Sequence, residues 1–134
     1  MGQLQEFLTK NKVENTVTTE VNIKPFPFPF VVKSITEAEN KLIRASCQKM
    51  EYNKKTHQKE LQTDTQTYLS KLVVACTVDP NFKDAALQEA YGVVGAEALV
   101  EKLLTPGQYG ALLQAVNDIN SFDNMEDLVE EAKN

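Results

Sequence analysis

The fold of this chain is decided by residues 68–122, which read YLSKLVVACTVDPNFKDAALQEAYGVVGAEALVEKLLTPGQYGALLQAVNDINSF. Apolar residues recur in this stretch at three- and four-residue spacing, which is typical of amphipathic helices packed on a shared core. Residues 72–76 are apolar on every side, and such a helix is normally surrounded by others. We therefore predict that residues 65–134 form a helical core that ends in an acidic C-terminal helix.

Local signals place the ends of these helices. Asp64 and Asp84 are predicted N-caps, because a short carboxylate accepts hydrogen bonds from the free N–H groups of a first helical turn. Asp79-Pro80 should end the first helix, since proline cannot continue the hydrogen-bond ladder. Gly92 suits the left-handed residue that follows a helix. Residues 105–108 combine a Thr N-cap, a Pro at the first helical position and a Gln at the third.

The inward faces of these helices define the predicted core. Two Cys residues, Cys47 and Cys76, fall among apolar neighbours and outside any CxxC pattern. Free Cys in such surroundings acts as a small hydrophobe, so buried free thiols are preferred to the alternative of a disulfide. The core residues that we expect are Leu72, Val73, Cys76, Leu99, Leu103, Leu112, Leu113 and Val116.

The N-terminal segment, residues 1–35, is predicted to be an arm followed by a β-hairpin. Residues 17–23 alternate with the period of two that indicates a strand, and residues 30–35 are rich in β-branched side chains. Pro and Phe alternate between these runs, and Pro cannot donate to a strand ladder, so residues 25–29 should form the turn. A two-stranded ribbon is marginal in water. The hairpin should therefore lie on helices or associate with another copy of the chain.

The middle of the chain is predicted to be a helix and a loop. Residues 36–50 should form the helix, opened by a capping box between Thr36 and Glu39. Residues 51–64 have almost no apolar content and should form a polar loop. The fold prediction is a mainly α (α+β) single domain over residues 1–134, a compact multi-helix domain with an N-terminal β-hairpin. The residues expected to face inward from the helix are Ala38, Leu42, Ile43, Cys47 and Met50.

Charge is unevenly placed along the chain. Residues 1–63 carry ten Lys and Arg against seven Asp and Glu, a net charge of +3, whereas residues 64–134 carry four against twelve, a net charge of −8. A single Arg, no Trp and dispersed Lys residues do not make the basic face of a nucleic-acid binder. No run approaches the roughly 20 apolar residues of a membrane span. We expect a cytoplasmic protein that has neither nucleic acid nor a membrane as a partner.

Residues suited to catalysis are scarce. The only His, His57, lies in the predicted polar loop, where it would be poorly held against a substrate proton. The acidic residues lack the spacing of a calcium loop, and the sequence has no Cys–His metal set. Gly92 and Gly95 lie between helices without the lysine of a phosphate-binding loop, which favours a turn. We predict no catalytic, cofactor-binding or metal-binding residues and no enzyme activity.

Two features are candidates for protein contact. Three Phe residues spaced by Pro cannot all turn inward, because alternate residues of an extended segment point to opposite sides, and exposed aromatic side chains indicate a contact surface. The C-terminal helix has an apolar stripe that either packs on its own domain or binds a partner. The candidate contact residues are Phe26, Phe28, Phe30, Met125, Leu128 and Val129.

Several short motifs carry a family resemblance. They are Ala75–Val78 followed by Pro80-Asn81, then Leu87–Glu97, Leu104–Tyr109, Ile119-Asn120 with Phe122, and Val129–Asn134. With these motifs the chain resembles the XkdN-like tail assembly chaperones of long-tailed bacteriophages and PBSX-type prophage elements. The N-terminal half matches more loosely, through the hairpin-like segment and Ile35–Asn40.

The resemblance implies a specific role and partner. A member of this family would bind the long helical tape measure protein, in several copies per chain, and keep it soluble until the tail tube polymerises around it. It would act in the cytoplasm of the bacterial host, need no cofactor and be absent from the mature virion. The alternative is a structural tail component, such as a completion or tube-associated protein, that is retained in the particle. Finding the chain in purified particles would distinguish the two.

Overall fold

The computed structural model describes residues 2–120, and within them the chain forms six helices and five strands. The predicted C-terminal helix lies outside the described residues. In chain order the elements are α1 (Gln3–Lys10), β1 (Thr18–Val21), β2 (Phe30–Lys33), α2 (Glu37–Ser46), β3 (Gln48–Asn53), β4 (Gln58–Thr63), α3 (Thr65–Cys76), β5 (Thr77–Asp79), α4 (Ala85–Ala90), α5 (Ala96–Leu103) and α6 (Pro106–Ile119).

The first sheet has three antiparallel strands in the order β1-β2-β5. Its central strand alternates: Phe30 and Val32 are buried, and the residues between and after them are half-buried. Because successive side chains of a strand point to opposite faces, one face of this sheet packs into the core. Helix α6 contacts β1 and β2, so the sheet and α6 lie against each other.

The prediction of a mainly helical domain with an N-terminal β-hairpin is wrong. The fold is mixed, with two small sheets, and β2 lies between β1 and β5 instead of forming one side of an isolated ribbon. The error arose at the end of α3, which we expected to continue to Pro80. The helix ends at Cys76, and Thr77 begins β5. Thr77 is buried and its hydroxyl donates to the Val73 carbonyl at 2.7 Å, which ties the first residue of β5 to the last turn of α3.

The predicted polar loop at residues 51–64 is also wrong, because most of it belongs to a second sheet. Strands β3 and β4 pair from Gln48↔Thr63 to Asn53↔Gln58. At the base of this hairpin the Asp64 N–H donates to the Cys47 carbonyl at 2.9 Å. Every residue of the two strands is exposed or half-buried. Apart from Met50, Tyr52 and Leu61 the ribbon is polar, so its composition resembles that of a loop.

Helix α2 is shorter than predicted and faces differently. It ends at Ser46 instead of residue 50, and of the five residues expected to face inward only Cys47 is buried, while Ile43 is half-buried. Leu42 is 72% exposed. The buried residue of α2 is Asn40, which accepts a hydrogen bond from the Tyr68 hydroxyl. A polar side chain at this depth is tolerated because it is hydrogen-bonded.

The core prediction for the C-terminal half is largely confirmed. Six of the eight residues are buried, and Leu103 and Leu113 are half-buried against them. Both Cys residues are buried free thiols, as predicted. Phe82 is also fully buried, although it was not among the predicted core residues. The buried residues that were predicted are Leu72, Val73, Cys76, Leu99, Leu112 and Val116.

The predicted helix caps are confirmed with one change. Asp64 accepts a hydrogen bond from the Thr67 N–H at 3.2 Å. Hydrogen bonds from the backbone and the side chain of Thr67 lower the pKa of Asp64. Asp84 caps α4, and Gly92 has a positive φ of 67° after that helix. At α2 the Thr36 hydroxyl accepts from the Glu39 N–H as expected, but the Glu39 carboxylate accepts from that hydroxyl and not from the backbone.

The complete capping box is at α6, and its removal has a measurable cost. The Thr105 hydroxyl accepts from the Gln108 N–H at 3.2 Å, and the Gln108 side chain accepts from the Thr105 N–H at 2.9 Å. We expect Thr105→Ala to lower the free energy of unfolding by about 1 kcal/mol, within a range of about 0.5–2 kcal/mol. Urea denaturation would measure it. Thr105→Ser keeps the hydroxyl and should lose much less, so equal losses in the two variants would contradict the cap.

Candidate protein-contact surface

The segment between β1 and β2 forms a corner that is held to the domain at two points. Ile23 is buried, and its carbonyl accepts from the Phe26 N–H at 3.0 Å. The Lys24 carbonyl accepts from the Gln108 side chain at 2.8 Å, which joins the corner to the start of α6. The same Gln108 side chain completes the capping box. The position of the corner is therefore coupled to the N-terminal end of α6.

The three Phe residues of the corner differ in exposure. Phe30 opens β2 and is buried, Phe26 is half-buried, and Phe28 is 78% exposed. The rings of Phe26 and Phe30 meet edge to face, with centroids 5.0 Å apart and planes at 72°, a favourable aromatic arrangement. This packing holds Phe26 and Phe30 toward the core. Phe28 points into solvent.

All three Phe residues line one cleft of about 290 Å³, which we call the corner cleft. Among residues 2–120, Asp79 is the one charged residue in the lining of this cleft. The other lining residues come from the corner itself, from the end of β5 and from α4 and α5, and they include Pro80, Leu87, Tyr91 and Leu103. Tyr91 is 41% exposed. A partner that fits this cleft would present an apolar side chain beside Phe28.

Only part of the corner cleft was predicted from the sequence. Phe26, Phe28 and Phe30 come together there, whereas Met125, Leu128 and Val129 lie outside the described residues. Leu103 was predicted as a core residue and Tyr91 was not predicted as a contact residue, so neither was expected in the cleft. Their contribution depends on the packing of α4 and α5 against the corner, and no local pattern signals that packing.

A second apolar surface lies on the β3–β4 hairpin. Met50 faces Leu61 across the strand pair, and Tyr52 follows two residues on, so the three share one face. All three are more than half exposed. His57 lies at the tip with a positive φ of 58°, and its Nδ1 is 3.1 Å from the Tyr52 hydroxyl. The spacing of Met50 and Tyr52 was the sequence signal that could have revealed this strand.

The described part of the chain has few side chains placed for catalysis or metal binding. Burial raises the pKa of the Cys76 thiol, so the thiol stays protonated at neutral pH and is a poor nucleophile. Among residues 2–120, no three His, Cys, Asp or Glu side chains are grouped as a metal site requires. Within the same residues, no helix has the length and apolar character needed to span a membrane.

Comparison with known proteins places these features in a family. The family model described as "Phage XkdN-like tail assembly chaperone protein, TAC" matches residues 4–133. The chain is 35% identical over 109 residues to the uncharacterized protein YqbN of Bacillus subtilis (strain 168). The alignment covers 79% of this chain and 72% of that relative. The chain is 31% identical over 115 residues to the phage-like element PBSX protein XkdN of the same organism, with the same two coverages.

A solved structure supports the fold independently. The crystal structure of YqbN superposes with a TM-score of 0.65 at 22% sequence identity, and it covers 86% of this chain and 93% of the other. This likeness concerns the fold. The family model extends over nearly the whole chain and agrees with the resemblance seen in the motifs of the C-terminal half. The chain belongs to the XkdN-like family of phage tail assembly chaperones.

Proposed function

We propose that this chain binds the tape measure protein of its phage or prophage element and keeps that protein soluble until the tail tube polymerises around it. Membership of the tail assembly chaperone family supports a role in tail assembly. The observation that carries the proposed contact is Phe28, which is 78% exposed beside the apolar corner cleft. Phe28 is contiguous with the apolar lining of the cleft, and contiguous exposed apolar surface indicates a protein-interaction site.

The chemistry of the cleft suits an apolar helix. A long helical tape measure protein would expose apolar stripes before the tube surrounds it, and such stripes aggregate. The corner cleft would take one side chain of a stripe, while Phe28 and Tyr91 would cover its neighbours. This is the helix-in-groove mode of recognition, in which side chains at i, i+3 and i+4 act as anchors.

Charge and copy number would complete the function. The chain has a net charge of −5, so copies bound along one tape measure protein would repel other coated rods and keep the complex soluble. Each contact through so small a cleft would be weak, and many sites along one rod would raise the overall affinity. Tube subunits could then displace the copies one at a time, without nucleotide hydrolysis. On this proposal the chain acts in the host cytoplasm and leaves before the particle is complete.

Co-expression tests the proposal. The tape measure protein should be largely insoluble when expressed alone and soluble when expressed with this chain. Affinity purification of the tape measure protein should recover several copies of the chain. A tape measure protein that is soluble alone, or that never co-purifies with the chain, would contradict the proposal. Recovery of the chain from purified particles would instead support a structural tail component.

Variants locate the contact. We expect Phe28→Asp to weaken binding about tenfold or more, because burial of a Phe side chain contributes about 1.5–3 kcal/mol and each 1.4 kcal/mol is a factor of ten. Leu42→Asp is the matched control, since Leu42 is 72% exposed on α2, outside the lining of the corner cleft. Raising the salt concentration should have only a modest effect, because the contact is apolar. If Leu128→Asp with Val129→Asp abolishes binding and Phe28→Asp does not, the contact lies in the C-terminal segment.

A further inference from the structure

Helix α1 presents an apolar face that the described part of its own domain does not cover. Leu4, Phe7 and Leu8 have the i, i+3, i+4 spacing of one helix face, and they are 69%, 51% and 48% exposed. None of the eight residues of α1 is buried. A helix this short is not stable alone in water. Its formation as a helix therefore indicates a surface elsewhere that would receive these three side chains.

An exposed arm connects α1 to the sheet. Residues 11–17 are all exposed and form neither helix nor strand. The root of this arm is fixed by two hydrogen bonds between Val17 and Ser34, at 2.8 and 2.9 Å. The next residue, Ile35, donates its N–H to the Asn120 side chain at 2.9 Å. Asn120 is the C-cap of α6, so the arm leaves the domain at the C-terminal end of α6.

A groove of about 800 Å³ lies at the other end of α6. It runs between the first half of α3, helix α5 and the first turn of α6. Glu97 and Glu101, one helical turn apart on α5, contribute negative charge to its lining, and no Lys or Arg of the described residues belongs to that lining. Its apolar side chains are Leu69, Val100, Leu104, Pro106 and Tyr109. The groove shares no lining residue with the corner cleft.

We propose that α1 of one copy of the chain docks in this groove of a second copy. The apolar face of α1 would meet the apolar lining of the groove. Lys10, in the last turn of α1, and Lys12, just beyond it, would bring positive charge to Glu97 and Glu101. Apolar anchors flanked by complementary charge are the usual composition of a helix-in-groove interface.

The positions of the arm and the groove favour a second copy over the same copy. Helix α6 has 14 residues and is therefore about 21 Å long. The seven residues of the arm, fully extended, span at most about 25 Å. To reach its own groove, the arm would have to be stretched along nearly a straight line over the curved surface of the domain. A neighbouring copy can present its groove without that constraint.

The proposed contact joins the arm of one copy to the groove of another, and it allows two kinds of assembly. Copies joined head-to-tail would keep a free arm at one end and a free groove at the other, whereas two copies that exchange arms would form a closed dimer. In both arrangements the mean mass should rise with concentration, and it should rise beyond that of a dimer if the copies join head-to-tail. This proposal does not depend on tape measure binding, since the two use separate surfaces.

Sedimentation velocity of the full chain tests the proposal. The mean mass of the unchanged chain should increase with concentration. Phe7→Asp should weaken association about tenfold or more, because it places a charge in the apolar contact. This substitution should leave the midpoint of urea unfolding of the domain unchanged at low protein concentration, since α1 contributes nothing to the core. Leu42→Asp, an equally polar change at another exposed site, should associate as the unchanged chain does.

Charge exchange and cross-linking identify the two surfaces. Glu97→Lys with Glu101→Lys should weaken self-association, and mixing this variant with Lys10→Glu plus Lys12→Glu should restore association between the two. Copies with Leu8→Cys should form a disulfide with copies that carry Glu101→Cys, whereas Leu42→Cys copies should not. The native Cys47 and Cys76 are buried and should not compete.

Three outcomes would overturn the proposal. The first is a mass that stays at that of a single chain at every concentration. The second is a disulfide between Leu8→Cys and Glu101→Cys that forms within one chain at high dilution, which would mean that the arm folds back on its own groove. The third is self-association that Phe7→Asp leaves intact while the Glu97 and Glu101 changes abolish it, which would mean that the groove takes another segment.

Discussion

Replacing Phe82 with alanine is expected to lower the free energy of unfolding by about 3–5 kcal/mol. Phe82 lies between β5 and α4 and is fully buried, with an exposed fraction of 0%. Its removal would leave a cavity and release the segment that carries the chain from the sheet to α4. The backbone of this segment is also held in place, because the Phe82 carbonyl accepts a hydrogen bond from the Gln88 side chain at 2.9 Å. Urea denaturation followed by circular dichroism would measure the loss.

Phe28→Ala is the matched control for this experiment. It removes the same side chain from a site that is 78% exposed, and we expect a change of less than about 1 kcal/mol, because little surface is uncovered. Both variants should be compared at one low protein concentration, since self-association would add to the apparent stability. Similar losses of unfolding free energy from the two substitutions would contradict the burial of Phe82.

Leu72→Ala and Leu112→Ala are each expected to lower the free energy of unfolding by about 2–5 kcal/mol. The two side chains are fully buried, one on the central helix α3 and the other on α6, and these two helices pack together. Leu72→Met conserves most of the volume and should cost less than about 1.5 kcal/mol. Leu42→Ala, at a residue 72% exposed, should have almost no effect. Losses below about 1 kcal/mol at both buried sites would contradict the assignment of the inward faces.

The parts of the fold that could be predicted are those in which the cause is local. A Thr, a Pro and a Gln in four consecutive residues are sufficient for the capping box of α6, because each interacts with the nearest backbone. The inward faces of α3, α5 and α6 follow from apolar spacing alone. For these elements the residues that determine the structure lie close together in the sequence, so the local sequence pattern predicts the structure.

The parts that could not be predicted depend on distant partners. Thr77–Asp79 form a strand only because β2, more than forty residues earlier, offers an edge to pair with. Phe82 lies in a segment without period, so nothing in its neighbours distinguishes it from an exposed Phe. At the corner, the alternation of Pro and Phe predicted that some ring would be exposed. The identity of the exposed ring depends on the contact of Phe26 with Phe30 and on the residues that α4 and α5 contribute to the corner cleft.

The β3–β4 hairpin has a consequence for how proteins of this shape can vary. No residue of the hairpin belongs to the core cluster of the described chain, and its base is closed by the hydrogen bond between Asp64 and Cys47. Adding or removing one residue from each strand at the tip keeps that base and leaves α2 and α3 in place. The length of the hairpin can therefore differ between homologues without a change in the rest of the domain. For the same reason, a fluorescent or affinity tag can be inserted at Lys54-Lys55 without disturbing the core.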